Sequence, residues 1–568
     1  MLPSLPSTAI EFKDWSWTQI EPYFIDLERR PLNEASVASW LADWSVLGNL
    51  LDEAYWRLYV ASTVDTTDVT AERNYNRFLD EIRPRARAAE QKLKQKLLAS
   101  GLKPAGFEIA LRNLKAEADL FREENLPLLS EEKKLAVEYD KIVGAQTVEW
   151  EGEEVTVTQL QPVFADPDRE RRERAWLLAM ERWLADREAI DALWGRFMAV
   201  RRQLAANASL ENYRGYRWRE KLRFDYTPQD CYHFHEAIEQ VVVPAAQSLL
   251  EKRRARLGVR TLKPWDLEVD QFGGLPLKPF SATSELVEKT STIFHKVDPQ
   301  LGTYFATMRR ENLLDLENRK GKAPGGYCTD FKAAGIPFIF MNAVGLHDDV
   351  QTLLHEGGHA FHAFESRHLP YHYREAPLEF CEVASMSMEY LGAPYLTADQ
   401  GGFYTPEEAA RARIEHLDVS LRFWPYMAVV DAFQHWVYEN QEAALDPRNC
   451  DAKWAELWDR LMPGVDWSGL EQEKRTGWHR KLHIHQEPFY YVEYGLAQLG
   501  AVQVWRNALD DQAGSVAAYR KALSLGANGT LPQLYAAAGA RFAFDAGTLR
   551  QAVNLMLKTI EELEAKVR

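Results

Sequence analysis

The sequence predicts a mainly α-helical protein with a small β element. Long stretches place apolar residues three and four apart among Arg, Glu and Ala, which is the pattern of amphipathic helices. Period-two alternation of β-favouring residues is confined to short segments. With 568 residues, 46% of them hydrophobic and 12% aromatic, the chain can bury a large core and exceeds one ordinary domain, so roughly two to four domains or lobes are expected.

In chain order, the spacing predicts helices over 36–58, 70–98, 169–187 and 190–206, each needing a neighbour to cover its apolar face. Pro84 should kink or divide the second of them. Thr147 to Trp150 and Glu154 to Thr158 alternate around a turn near Gly152, which reads as a β-hairpin. Asp166-Pro167 reads as an N-cap with Pro at the first helical position, opening a charged helix whose charges form a solvated face. Pro264, Gly273, Gly274, Pro276 and Pro279 mark the richest break, and a second break runs over 320–326. Ile336 to Asn342 is a short apolar run with Pro337 near its start. Proline in a strand is confined to an edge or a first position, so an edge strand or the beginning of a strand is expected there; an edge strand would leave unpaired backbone groups that an extended peptide could pair with. We expect an N-terminal helical domain with the hairpin over 1–190 and a second, catalytic domain over 191–568.

A formal net charge of −16 opposes nucleic acid and anionic membranes as main partners. The four cysteines, Cys231, Cys328, Cys381 and Cys450, are far apart and form no CxxC pair, which suits a reducing compartment and provides no thiolate zinc site. Cys381 adjoins Glu382, although a free cysteine is ordinarily a buried, inert thiol. The N-terminus has no basic segment followed by an apolar one, and no stretch approaches a membrane span. A cytoplasmic location is expected. Asn207-Ala208-Ser209 and Asn528-Gly529-Thr530 match a glycosylation acceptor pattern, which carries no weight without a secretory signal.

The densest chemistry lies at His355-Glu356-Gly357-Gly358-His359. Histidines at i and i+4 lie one above the other on a helix, so both imidazoles can reach one metal ion while the glutamate points toward the same cleft. That is a zinc hydrolase site in outline. Leu353, Leu354, Phe361 and Phe364 give the segment helical periodicity. Gly357 and Gly358 cost about 1 kcal/mol each relative to alanine in a helix, so a neighbouring helix or bound substrate should approach closely there, or packing alone should account for them. A catalytic zinc takes three protein ligands and keeps a position for water. Candidates for the third are His362, Glu379, Glu382 and Glu389. His362 shares the face, but seven residues rise about 10 Å along the axis, too far for one ion. Spacing ranks the three glutamates only weakly. Elsewhere, His233 and His235 stand at i and i+2 and diverge on a helix, which favours surface or core roles.

Three separated segments, His355 to His362, Phe380 to Ser385 and Pro488 to Tyr494, together resemble the oligoendopeptidase F branch of the thimet oligopeptidase family over residues 320–504. In that family the third ligand is the glutamate opening an ExxS segment, here Glu382. The resemblance implies one Zn2+ per chain held by His355, His359 and Glu382, with Glu356 as base for a metal-activated water. It also implies a two-lobed helical body with a deep channel and a small β element near the active site. Cys381 and Met386 depart from the NExxSD form of thermolysin-like enzymes, so an acid from elsewhere, Glu389, is expected to partner a ligand histidine. A histidine-plus-tyrosine element for the oxyanion maps onto 483–494, with His483 and Tyr490 in that role and His485, Tyr491 and Tyr494 as alternates that contact substrate. Successive helical residues cannot all face one cleft, so some of these rings are core packing.

The function expected is zinc-dependent endopeptidase activity on short oligopeptides. A related HExxH carboxypeptidase is the alternative, and its mark would be a basic group holding the terminal carboxylate. A non-catalytic helical peptide-binding protein is a further alternative, against which the complete set of catalytic elements argues.

Overall fold

The computed structural model describes residues 4–323 and 325–567. The chain is mainly helical, with two small sheets. Its contacts group it into two compact units of three stretches each. The first comprises Met1–Asp119, Lys278–Ala409 and Ala497–Phe542, the second Leu120–Leu277, Ala410–Leu496 and Ala543–Arg568. The division expected at 190/191 is linear, whereas these units are discontinuous, and residue 190 lies inside the helix Arg187–Asn207. Among the described residues no helix is long and apolar enough to cross a membrane. The four cysteines form no disulfide.

In the second unit the hairpin forms as expected from β1 (Thr147–Trp150) and β2 (Glu153–Thr156), antiparallel with Thr147 opposite Thr156. Glu151 and Gly152 both have positive φ, 54° and 89°, which is how a two-residue turn follows the twist of its strands. The charged helix Arg169–Ala185 starts later than Asp166-Pro167 suggested. Its N-cap is Asp168, whose side chain accepts from the amides of Glu170 and Arg171; Asp166 instead accepts from the Asp168 amide at 2.8 Å and organises the turn before the helix. Pro228–Leu257, Pro447–Leu461 and Ala546–Glu564 supply further helices.

In the first unit, Pro84 divides its predicted helix as expected. Val69–Arg77 passes through a single π turn, Phe78–Ile82, into Arg83–Ser100. The aromatic helix Val37–Val64 buries Trp40, Trp44 and Leu47. A three-stranded sheet of β3 (Leu314–Glu317), β4 (Tyr327–Phe331) and β5 (Ile336–Ala343) has the order β3-β5-β4. Thus β5 is the central strand rather than an edge, parallel to β3 and antiparallel to β4, and Pro337 stands at its beginning, the other position expected for a proline. The register shows how Pro337 is tolerated there. The Ile339 amide donates toward β3, to Leu313 O at 2.9 Å, so residue 337, of the same parity, also directs its nitrogen to that side. The β3 pairing begins only at Ile339, so Pro337 costs no ladder bond.

Candidate metal centre

Strand β5 leads through Val344, Gly345 and Leu346 into the helix His347–Ser366. Gly345 has φ 93°, a left-handed conformation that glycine adopts without strain. Asp349 ties this turn down, its Oδ2 accepting from the amides of Val344, Gly345 and Leu346 at 2.9, 2.8 and 2.8 Å. Two turns further on, the rings of His355 and His359 lie 5.0 Å apart. The helix Leu378–Gly392 packs alongside and presents Glu382, whose Oε2 stands 3.4 Å from His355 Nε2 and 3.7 Å from His359 Nε2. Donor atoms of the three residues lie within 4.8 Å of one another, and two imidazoles with a carboxylate are a donor set that zinc accepts.

Neighbouring groups aim these donors. Glu389 Oε1 lies 2.7 Å from His355 Nδ1, so Nδ1 carries the proton and the Nε2 lone pair faces Glu382. Ser385, fully buried, places its hydroxyl 3.0 Å from Glu382 Oε2 and 3.1 Å from the Glu382 carbonyl. The helix carrying Glu382 is itself held by Tyr519, which donates to Ala384 O at 2.8 Å.

The two glycines answer to packing. A Cβ on Gly358 would fall 2.5 Å from the Ala384 carbonyl oxygen and 2.5 Å from Ser385 Cα, and one on Gly357 would fall 2.4 Å from the tip of the Phe294 ring. Gly358 thus lets the two ligand-bearing helices approach backbone to backbone. Gly357 admits a core aromatic on another face.

Electrostatics separate the acids by role. Burial opposes charge on His355, but its contacts with Glu382 and Glu389 prevail and raise its pKa well above the usual value. Burial likewise resists ionisation of Glu382, yet His355, His359 and Ser385 bring it down to about 2. His359, half-buried and without such a hydrogen bond, is lowered to about 4 by desolvation. Glu356 is buried beside the other acids, and desolvation, reinforced by Glu382, pushes it up to about 7 against the opposing pull of His355. The Cys328 backbone amide lies toward its carboxylate and pulls in the opposite direction, favouring the charged form. The sheet register explains why that amide is available. Cys328 faces Ile339 across β4 and β5, and Ile339 directs its amide to β3, so Cys328 belongs to a non-hydrogen-bonded pair and turns its N–H off the outer edge of β4.

Other candidates fall elsewhere. His362 is buried against Phe380 and drawn down to about 3 by desolvation, a neutral core histidine outside the donor group. Glu379 is buried on the Glu382 helix and is not among the converging donors. The Cys381 thiol donates to Ala376 O at 3.5 Å. Within the second unit, His483 and the three tyrosines form one cluster, with His483 5.7, 5.0 and 6.1 Å from the rings of Tyr490, Tyr491 and Tyr494. Phe489, at φ 64°, breaks the backbone just before the helix Tyr491–Asp510. Tyr490 thereby lies outside that helix and reaches Tyr494 at 5.0 Å. His485 is a correction: it is 0% exposed and stacked between Tyr139 and Trp478, the position of a core residue rather than a peptide contact. The sequence reading missed the Cys328 amide altogether. The alternation of Tyr327 to Phe331 after Gly325-Gly326 was its available signal.

A helical body whose HExxH histidines face a glutamate from the adjoining helix defines the class of helical metallopeptidases. The chain belongs to peptidase family M3, whose model matches residues 163–553. It is similar to the chromosomal oligoendopeptidase F of Lactococcus lactis subsp. cremoris, 29% identical over 188 residues, which make up 32% of this chain and 30% of the relative. It is also similar to oligopeptidase PepF of Bacillus subtilis (strain 168), 35% identical over 101 residues, or 17% and 15% of the two chains. These alignments span less than a third of either relative's length. Solved structures match end to end. PZ peptidase A with an inhibitor shares 29% identity and a TM-score of 0.87, covering 100% of this chain and 99% of its own. A structure described as oligoendopeptidase F shares 28% identity and a TM-score of 0.88 over 97% of both chains.

Proposed function

We propose that the protein is a zinc-dependent metalloendopeptidase that hydrolyses internal bonds of short oligopeptides. The convergence of His355 Nε2, His359 Nε2 and Glu382 Oε2, with Glu356 one residue along the same helix, carries this reading. The family and the names of the relatives support peptides as substrates. A bound zinc would acidify a coordinated water and polarise the scissile carbonyl.

The remaining work belongs to the side chains. Glu356, held near neutrality by burial and oriented by the Cys328 amide, accepts the proton of the attacking water and later returns it to the leaving amine. Glu389 fixes the His355 tautomer and Ser385 orients the carboxylate of Glu382. Substrate pairing, first assigned to the segment 336–342, moves to β4, because β5 is flanked on both sides. The Cys328 carbonyl and the backbone groups of Asp330 face off the outer edge of β4, where an extended peptide could add a strand beside Glu356. His483 and Tyr490 remain the proposed oxyanion donors. The family resemblance and the compact cluster they form support that role.

Digestion of a mixed peptide library with and without a chelator, read by mass spectrometry, tests the proposal. Internal cleavage abolished by chelation and restored by zinc is expected. Cleavage indifferent to chelation, or none by zinc-loaded protein, overturns it.

A further inference from the structure

Lys481 is a half-buried cation to which the second unit supplies no acid. Its ammonium lies 4.4 Å from the centroid of the Tyr491 ring and 5.4 Å from that of Tyr426. Among the described residues no carboxylate or carbonyl oxygen bonds it, and burial alone lowers its pKa to about 8. Nearby cations are treated differently. Lys221 and Arg223 share Glu493 at 3.1 and 2.5 Å, Arg217 reaches Glu487 at 3.0 Å and Arg201 reaches Glu132 at 2.8 Å. Arg480, the preceding residue, donates to the Glu473 carbonyl at 2.9 Å.

Holding an unpaired ammonium partly out of water is unfavourable, and the aromatic faces offset only part of that cost. An anionic ligand would offset the rest. The surroundings indicate its kind. A single ammonium set against the two rings suits a monoanion. Phe423, 5.7 Å from Tyr491 and 6.2 Å from Tyr494, extends the apolar walls that peptide side chains could occupy. The Tyr491 ring touched by Lys481 is also 5.0 Å from His483, which places the ammonium within about three residues of extended chain from the proposed oxyanion donors.

We propose that Lys481 anchors a carboxylate of the bound peptide, supplied by its C-terminus or by an acidic side chain, and so favours short substrates carrying that charge close to the scissile bond. The inference rests on the peptidase reading and assigns its substrate class.

One peptide sequence in three forms tests it: a free C-terminal acid, the neutral C-terminal amide, and the amide with a glutamate introduced near that end. The kcat and KM of each are measured with wild-type protein, Lys481→Met and Lys481→Arg. Wild type should favour a carboxylate-bearing form over the neutral amide by about tenfold, through KM. Lys481→Met should erase the preference and Lys481→Arg should keep most of it. Preference for the free acid alone identifies the C-terminus, and preference for the glutamate form alone identifies a side chain. Because the readout is a ratio within one variant, a partial loss of folded protein does not move it. Equal handling of all three forms by wild type, or a preference surviving in Lys481→Met, overturns the inference with the peptidase reading intact. Failure of wild type to cleave any form overturns both.

Discussion

Among the described residues, two clusters of side chains of the metal-ligand type occur, and they differ in a way that residue identity does not reveal. In the first unit, His355 and His359 at i and i+4 face Glu382. In the second, Cys231 and His235 at i and i+4 on Pro228–Leu257 meet Asp431 and His435 at i and i+4 on Pro406–Glu439, and donor atoms of Cys231, Asp431 and His435 also lie within 4.8 Å of one another. The first cluster is reachable, with side-chain exposures of 24% and 23% for its histidines. The second is sealed, at 1% for His435 and 0% for Asp431.

Tautomers separate them further. Glu389 accepts from the Nδ1–H of His355 and leaves Nε2 for a ligand. In the second cluster Asp431 Oδ2 lies 2.9 Å from His235 Nε2 and 3.3 Å from His435 Nε2, and Arg214 Nη1 stands 3.3 Å from His435 Nδ1. With Arg214 donating to Nδ1, the proton of His435 sits on Nε2, 3.3 Å from Asp431 Oδ2, so that nitrogen offers no lone pair to a cation. A candidate metal site is thus marked by an outer acceptor that holds the proton on the far nitrogen, together with a route in. The second cluster instead has Asp431 bonded to His235 within a sealed interior.

The comparison can be broken most decisively at the first cluster. Glu382→Ala should lose both the metal and cleavage, whereas Glu379→Ala should retain metal; elemental analysis showing the reverse would move the ligand. Glu356→Gln should keep the metal and lower kcat by about 10²–10⁴-fold, the range of a general base, and near wild-type turnover would remove it from the mechanism. At the second cluster, Asp431→Ala should cost about 3 kcal/mol by stranding its buried partners, seen as a lower denaturant midpoint, while the metal content of the folded fraction stays at one per chain. A loss of metal there would make the two clusters equivalent.

Smaller effects sharpen the distinction. Glu389→Gln should weaken metal affinity by about 10- to 100-fold, as expected of an outer partner of a ligand histidine, read by chelator competition. Gly358→Ala should destabilise by about 1–3 kcal/mol through overpacking against the Ala384–Ser385 backbone. Gly357→Ala should cost less, because the Phe294 ring can turn away where backbone cannot. Equal thermal shifts for the two would contradict the helix-approach account of Gly358.

Much of this protein was legible in its residues because the signals are local. Helical periodicity located the helices around 36–58 and 190–206, Pro84 divided its helix through its missing amide, and the alternation about Gly152 set the hairpin. The i,i+4 spacing of His355 and His359 placed both rings on one face. Spacing left the candidate third ligand open: three glutamates on one helix fit comparably, and the packing of that helix across Gly358 is what brings Glu382 beside the histidines. Pro337 left β5 open between an edge and the beginning of a strand, because proline forbids a ladder bond only on the side its nitrogen faces, and whether a partner reaches that far depends on where β3 stops. The core burial of His485, the Cys328 amide beside Glu356 and the absence of an acid at Lys481 were likewise decided by the tertiary structure. Each depends on which distant segment arrives at a given atom. Sequence by itself determined the periodicities, the breaks and the kinds of chemistry available; the close packing of segments far apart in the chain decided which lone pairs, amides and charges remain for use.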